Sequence, residues 1–403
     1  MHPASTVVLL FAAATAVALL ARRLRIPYTV GLVLAGLALG AAHLSYGVHL
    51  TKELLYAVFL PGLLFEAAYH LDFAEFRASW RAIFALAVPG VAAGIFATAA
   101  LLVASSHLTV FAAGFGWKHA LVFAALIAAT DPIAVVALFK SLGAPRRLSV
   151  LTEGESLVND GTAIVLFTIV LTAVTSDAGL GAGAGAFEFL RVAGLGFVAG
   201  GGLALVTSHI IKRVNDPMIE ITLTTVTAFG SFVLAENFHA SGVIATVTAG
   251  MVCGNYGAPR GMNATTRFAV ESFWEYVAFA LNSLVFLLIG LEVRMGALLA
   301  AWAPIAIAFV AVTVGRTAVV FAVSAMLRKT VERIPWRWSV MLIWGGLRGA
   351  LSMVLALALP DTFPQRQLLV TTTFGVVLLS IVVQGTMAGP LLRALGLSGN
   401  AGK

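Results

Sequence analysis

The sequence has 403 residues, 60% of them hydrophobic and only 11% charged, with mean hydropathy +0.99 and formal net charge +7. Soluble domains carry roughly 25% charged residues, so this composition excludes one, and no polar tract is long enough to form one. The lone Cys253 rules out an intramolecular disulfide and a cysteine-based metal site. The positive balance invites a nucleic-acid reading, but in so apolar a chain it reads better as loop charge of a membrane protein.

Apolar runs of about 20 residues, each enough for a helix across a ~30 Å hydrocarbon core, recur from end to end. Windows between charged or Gly/Pro breaks predict an all-α integral membrane protein of about thirteen transmembrane helices. In chain order they lie at 5–21, 27–42, 53–70, 82–104, 118–139, 149–174, 188–210, 218–236, 240–253, 269–292, 298–326, 337–358 and 367–395. The first is a retained span, because Arg22, Arg23 and Arg25 follow its apolar core, whereas a signal peptide has its charges in front. The third carries Glu66, the fifth Thr130-Asp131-Pro132 and the twelfth Gly345-Gly346-Leu347-Arg348-Gly349. The sixth enters the apolar region through Glu153-Gly154-Glu155-Ser156-Leu157-Val158-Asn159-Asp160-Gly161. Between the sixth and seventh, the glycine-rich stretch 179–186 reads as a flexible outer loop; it lacks the lysine of a phosphate-binding loop. Trp117, Trp336 and Trp338 stand where an aromatic belt would place them.

Loop charge orients the chain. Loops after odd-numbered spans, with the C-terminal tail, hold about eighteen of the 25 basic residues, among them Arg22, Arg77, Arg146, Arg213 and Arg328. The positive-inside rule then puts the N-terminus outside and the C-terminus in the cytoplasm. Six spans, a linking span and six more fit a single transmembrane domain, 1–403. Its two inverted repeats are approximately 5–174 and 218–395, around a linking span at 188–210. The fifth and twelfth spans correspond in that plan, and both are interrupted at mid-depth, so they are expected as broken crossing helices. Such interruptions in matching positions are a sequence pointer to a transport site.

Asp131 lies about 13 residues from the outer end of its span and Asp160 about 11 residues into its own, or ~20 Å and ~16 Å at 1.5 Å per residue. A charge at membrane depth costs at least ~2.5–3.5 kcal/mol on insertion scales, and chains keep such groups to carry ions, relay protons or pair with each other. Pro132 has no N–H, so the carbonyl of Ala128 loses its helical donor. A freed carbonyl and the Thr130 hydroxyl suit a hard cation, which prefers oxygen. Ser156 and Asp160, spaced i and i+4, share one helix face; Glu155 and Asn159 share its neighbour. A buried carboxylate able to take a proton or a metal cation, but not both, is enough for an exchanger. Elsewhere, Glu275 and Arg316 are expected to form a second pair and Glu236 to be solvated at a span end. His70, His107, His119, His209 and His239 are expected at interfaces.

Thr130-Asp131-Pro132, Glu155-Ser156-Leu157-Val158-Asn159-Asp160-Gly161 and Gly346-Leu347-Arg348-Gly349-Ala350 resemble signature motifs of the monovalent cation/proton antiporters of the first group, the NhaP-type sodium/proton exchangers. Leu60-Pro61-Gly62-Leu63-Leu64-Phe65-Glu66 and the stretch from Phe273-Trp274-Glu275 to Asn282-Ser283-Leu284-Val285-Phe286 are similar to further family stretches, so the resemblance spans essentially the whole chain. It implies that Asp160 carries the cation or proton, with Thr130, Ser156 and Glu66 as further ligands of a monovalent cation. Asp131 and Asn159 would support the crossing of the broken helices, and Arg348 would pair with Glu155. Arginine stays charged under ordinary conditions, so it neutralises rather than shuttles protons. Members with Asn-Asp where this chain has Asn159-Asp160 look electroneutral, one cation for one proton.

The resemblance thus implies a secondary antiporter exchanging H+ for Na+ by alternating access, with Li+ and K+ left open and a potassium/proton antiporter of the same fold as the alternative. A cation channel needs a continuous pore with a filter of carbonyls or charged rings, whereas here the acids sit singly beside helix breaks. An enzyme is disfavoured, since the sequence has no paired-aspartate protease signature, no His-rich metal motif and no serine with a nearby histidine. No cofactor and no nucleic-acid partner are expected. The lipid bilayer, monovalent cations and protons are the expected partners. A homodimer in a prokaryotic inner membrane, with sodium and pH homeostasis as its role, is the expected setting. The chain also reads as a minimal one, since eukaryotic relatives add a long regulatory tail.

Overall fold

The computed structural model describes residues 3–24, 27–41, 52–106, 111, 114–175 and 181–399. Every predicted apolar segment carries helix among its described residues, and no strand occurs among the described residues. The principal helices are α1 (Pro3–Leu24), α2 (Tyr28–Ala41), α3 (Leu60–His70), α4 (Trp80–Ala87), α5 (Pro89–Ser106), α6 (Trp117–Leu126), α7 (Ile133–Leu142), α8 (Arg146–Thr175) and α9 (Ala182–Ile211). They continue with α10 (Pro217–Asn237), α11 (Gly242–Val252), α12 (Ala264–Glu292), α13 (Trp302–Met326), α14 (Trp336–Trp344), α15 (Ala350–Leu357), α16 (Arg366–Leu379) and α17 (Gly385–Ala394).

Seven helical stretches among the described residues are long and apolar enough to cross a membrane: Trp80–Ser106, Arg146–Thr175, Gly183–Ile211, Pro217–Asn237, Ala264–Glu292, Trp302–Lys329 and Arg366–Ala394. The fifth and twelfth predicted spans are not single helices. The fifth is α6 and α7 with a break at 127–132, and the twelfth is α14 and α15 with a break at 345–349. Three further stretches keep helical direction through a wide, π-type turn, at Leu55–Phe59, Cys253–Gly257 and Ser380–Gln384. One expectation fails: in the stretch read as an outer loop, residues from Ala182 to Ala186 form the first turn of α9, while 179 and 180 lie outside the described residues. Glycine and alanine alternate there, and the apolar run that follows carries the helix back through them; glycine is more frequent in membrane helices than in soluble ones.

The chain divides into two compact units. One comprises residues 1–52, 79–159 and 283–403; the other comprises 53–78 and 160–282, with one boundary inside α8 between Asn159 and Asp160. In the first unit α5 packs against α13 at small residues: a Cβ on Gly315 would meet Thr98 Oγ1 at 2.7 Å. Glu332, buried in the loop before α14, accepts from the Ala82 N–H at 2.9 Å and so holds the first turn of α4. Helix α7 ends at Gly143, whose φ of +65° is the left-handed stop that suits glycine.

In the second unit, Trp274 of α12 is fully buried among Phe65 and Tyr69 of α3, Ala204, Ala228, Ala249 and Val270. Its Nε1–H donates to Thr224 Oγ1 at 3.1 Å, which satisfies the one polar atom that a buried indole brings in. Helix α10 starts on Asp216, whose carboxylate accepts from the N–H groups of Met218 and Ile219, with Pro217 at the first helical position. Ser241 caps α11 in the same way through Ile244.

Candidate ion site at two broken helices

The first break follows from Pro132. It has no N–H to give to Ala128, so α6 stops at Leu126 and α7 begins after the proline. The second break follows from glycine. A Cβ on Gly349 would lie 2.6 Å from Asp131 Oδ2, and one on Gly346 would lie 2.6 Å from Arg316 Nε. The Gly349 backbone, with φ −125°, is one that any residue adopts, so glycine is required there for space.

The two breaks are joined directly. The Asp131 N–H donates to the Leu347 carbonyl at 2.7 Å. Arg348 reaches the other way: its Nη1 donates to the carbonyls of Ile127 at 2.8 Å, Ala128 at 2.7 Å and Ala129 at 3.2 Å. These are carbonyls that the end of α6 and Pro132 leave without helical donors. The Asp131 side chain accepts from the Ile133 N–H at 3.1 Å and so caps the start of α7. Asp131 is thus bound at both its backbone N–H and its side chain, to the second break and to the first residue of α7.

Helix α8 supplies the remaining polar groups of the first unit. Ser156 Oγ donates to the Thr130 carbonyl. Asn159 Nδ2 donates to Thr130 Oγ1 at 2.9 Å and to the Ala128 carbonyl at 3.3 Å. Thr130, Ser156 and Asn159 are all buried, and Asn159 Oδ1 accepts no hydrogen bond. A buried amide oxygen without a donor is costly; like the Thr130 and Ser156 hydroxyls it is an uncharged oxygen, the donor type that hard cations take. The freed Ala128 carbonyl, expected to face the cation, is occupied by Arg348 and Asn159 instead.

Two expected pairings are corrected. Glu155 does not hydrogen-bond Arg348; it is bound in bidentate fashion by Arg316 of α13, Nη1 to Oε1 at 2.8 Å and Nη2 to Oε2 at 2.9 Å. Arg316 Nη2 also donates to the Leu342 carbonyl of α14 at 3.0 Å. The expected Glu275–Arg316 pair is overturned by the same contact. A fork of two parallel bonds is the strong geometry for guanidinium and carboxylate, and it leaves Arg348 free to serve the carbonyls. Arg316 and Arg348 also line one small cavity with Gly90, Thr98 and Ala128.

Of the expected site residues, the first unit brings together Thr130, Asp131, Glu155, Ser156, Asn159 and Arg348. Asp160 and Glu66 belong to the second unit. Asp160 is partly buried on α8, directly after Asn159 and one turn on from Ser156. Glu66 lies on α3 with its side chain 22% exposed, and His70 Nδ1 stands 3.2 Å from its Oε1. That histidine partner was not singled out from the sequence, although the i, i+4 spacing carried the signal. Glu236, expected to be solvated, is exposed and also accepts from the Gly242 N–H at 3.3 Å. His107 lies outside the described residues.

The family described as "Sodium/hydrogen exchanger, transmembrane" matches residues 8–394. The chain is 39% identical to the Na(+)/H(+) antiporter NhaG of Bacillus atrophaeus, over 97% of this chain and 74% of that protein. It is 37% identical to the Na(+)/H(+) antiporter NhaH of Halobacillus aidingensis, over 97% of this chain and 98% of that one. Its fold is that of the sodium proton antiporter MjNhaP1 from Methanocaldococcus jannaschii, with TM-score 0.78 at 18% identity, covering 97% of this chain and 98% of that chain.

Proposed function

The chain belongs to the family of transmembrane sodium/hydrogen exchangers, and on that premise we propose that it exchanges H+ for Na+ with Asp160 as the carrier group. The observation that carries this reading is the buried oxygen cluster of Thr130, Ser156 and Asn159, with Asn159 Oδ1 left without a donor, on the helix that continues into Asp160. Thr130 and Ser156 offer uncharged oxygens to the ion, and Asp160 offers the charge that a proton competes for. Glu66 is proposed as a further ligand, on the resemblance of its motif. Asp131, Asn159, Arg348 and Glu155 hold the broken helices so that these oxygens are in place. The relatives' names speak for Na+ rather than for the potassium exchanger of the same fold.

A single carrier carboxylate supports electroneutral 1:1 exchange, in which membrane voltage does no net work; each net charge moved would otherwise feel ~2.3 kcal/mol per 100 mV. Thirteen crossings in two inverted repeats, with the N-terminus outside, are supported by the loop charges and by the matching breaks in the fifth and twelfth segments. A homodimer in a prokaryotic inner membrane completes the proposal. Na+-driven proton movement in proteoliposomes tests the site. Thr130→Val and Ser156→Ala should each raise the KM for Na+ several-fold; unchanged KM values in both would sink the assignment.

A further inference from the structure

The last membrane stretch, α16 to α17, does not run as a regular helix. It widens at Ser380–Gln384, where the turn is π-type. Such turns occur mostly as single widened turns, often at functional positions. Both terminal residues of this turn carry polar side chains that are buried: Ser380 is 0% exposed and Gln384 4%. In an apolar helix these groups need partners: Ser380 finds one in the second break, and Gln384 finds one in Ser380. The Arg348 backbone N–H donates to Ser380 Oγ at 2.9 Å. Ser380 Oγ–H in turn donates to Gln384 Oε1 at 2.6 Å. Trp344, the last residue of α14, donates its Nε1–H to the Gln384 carbonyl at 3.0 Å. One turn of one helix thus grips Trp344, just before the break, and Arg348, inside it. Ser380, Gln384, Gly346, Arg316 and Arg348 also line one small cavity.

We propose that Ser380 and Gln384 are positioning residues for Na+/H+ exchange: they fix the backbone of Arg348, whose guanidinium in turn fixes the carbonyls at the first break and so the Thr130 oxygens. This rests on the ion-site reading above. Neither side chain touches the ion; each acts through Arg348. The Ser380 hydroxyl is the pivotal group, because it accepts from Arg348 and donates to Gln384 at once, and one hydroxyl is all that the pair of bonds requires. The Gln384 side chain holds that hydroxyl in the rotamer that leaves its lone pair on Arg348.

The test is Na+-driven proton transport in proteoliposomes of the full chain, with KM and Vmax read separately and melting in detergent measured alongside. Ser380→Ala should raise the KM for Na+ about fivefold, the scale of one buried hydrogen bond, with Vmax within about twofold of the unmodified protein; Ser380→Thr, which keeps the hydroxyl, should restore KM. Gln384→Leu should shift KM in the same direction by less. A fall in melting temperature with KM unchanged would mean that the turn is merely structural, and would overturn the proposal. Ser156→Ala is run in parallel. If it shifts KM and Ser380→Ala does not, the positioning role falls and the ion-site reading stands; if neither shifts KM, both fall.

Discussion

The two helix breaks do the same geometric job by opposite means. The first, at 127–132, is made by a missing donor: Pro132 removes an N–H, and carbonyl oxygens are left over. The second, at 345–349, is made by missing side chains: Gly346 and Gly349 leave room for Arg316 and Asp131. The first break is therefore rich in acceptors, and the second supplies a cation, Arg348, which donates to three of them. Each break satisfies what the other leaves open. Irregular backbone is tolerated at membrane depth only where its polar groups are buried in protein or line a water-filled cavity, and here the partner of each break is largely the other. The Thr130 and Asn159 oxygens lie at the edge of that mutual satisfaction, where spare lone pairs remain.

The largest expected effect comes from removing the cation. Arg348→Met should abolish transport and cost about 3–5 kcal/mol, because the carbonyls at the end of α6 lose their donor in a buried site; melting in detergent and proteoliposome transport read the two effects. If stability holds, the breaks do not depend on each other. Next comes the pairing of Glu155. Glu155→Gln should destabilise by about 3–5 kcal/mol by stranding Arg316, and a double-mutant cycle should give a coupling of about 1–3 kcal/mol with Arg316 and a smaller one with Arg348. The reverse ranking would restore the pairing that the motif resemblance implied. Gly349→Val should cost about 1–3 kcal/mol as its side chain is driven against Asp131, whereas Gly296, with open space around its Cβ position, should accept alanine with little change. Among the site variants the smallest effect is expected from Asn159→Ala, a rise in the KM for Na+ of a few-fold with the fold intact, since Ser156 still holds the Thr130 carbonyl.

The helices and their breaks were legible because they rest on local chemistry: apolar runs, a proline without an N–H, and glycines in a row. The carboxylates stood out because a charge inside an apolar run is costly. The partner of Glu155 was not legible. Arg316 and Arg348 both lie inside apolar segments, and which one meets Glu155 depends on how α13 and the second break turn about their axes, which spacing alone does not encode. The roles of Ser380 and Gln384 were missed for a related reason. Their i, i+4 spacing marks a polar face on an apolar helix, but the partners of that turn lie more than thirty residues earlier in the chain. The first turn of α9 is not legible because its glycine content matches that of a flexible loop, while the apolar run behind it carries the helix back to Ala182.

The most direct test is cation-driven pH change in proteoliposomes for the unmodified protein and Asp160→Asn, with Na+, Li+ and K+ in turn and membrane voltage clamped at several values. The account predicts proton movement on Na+ addition, a rate indifferent to voltage, and no exchange in the variant. Exchange that survives in Asp160→Asn would contradict it, and would move the carrier role to Glu66 or Asp131.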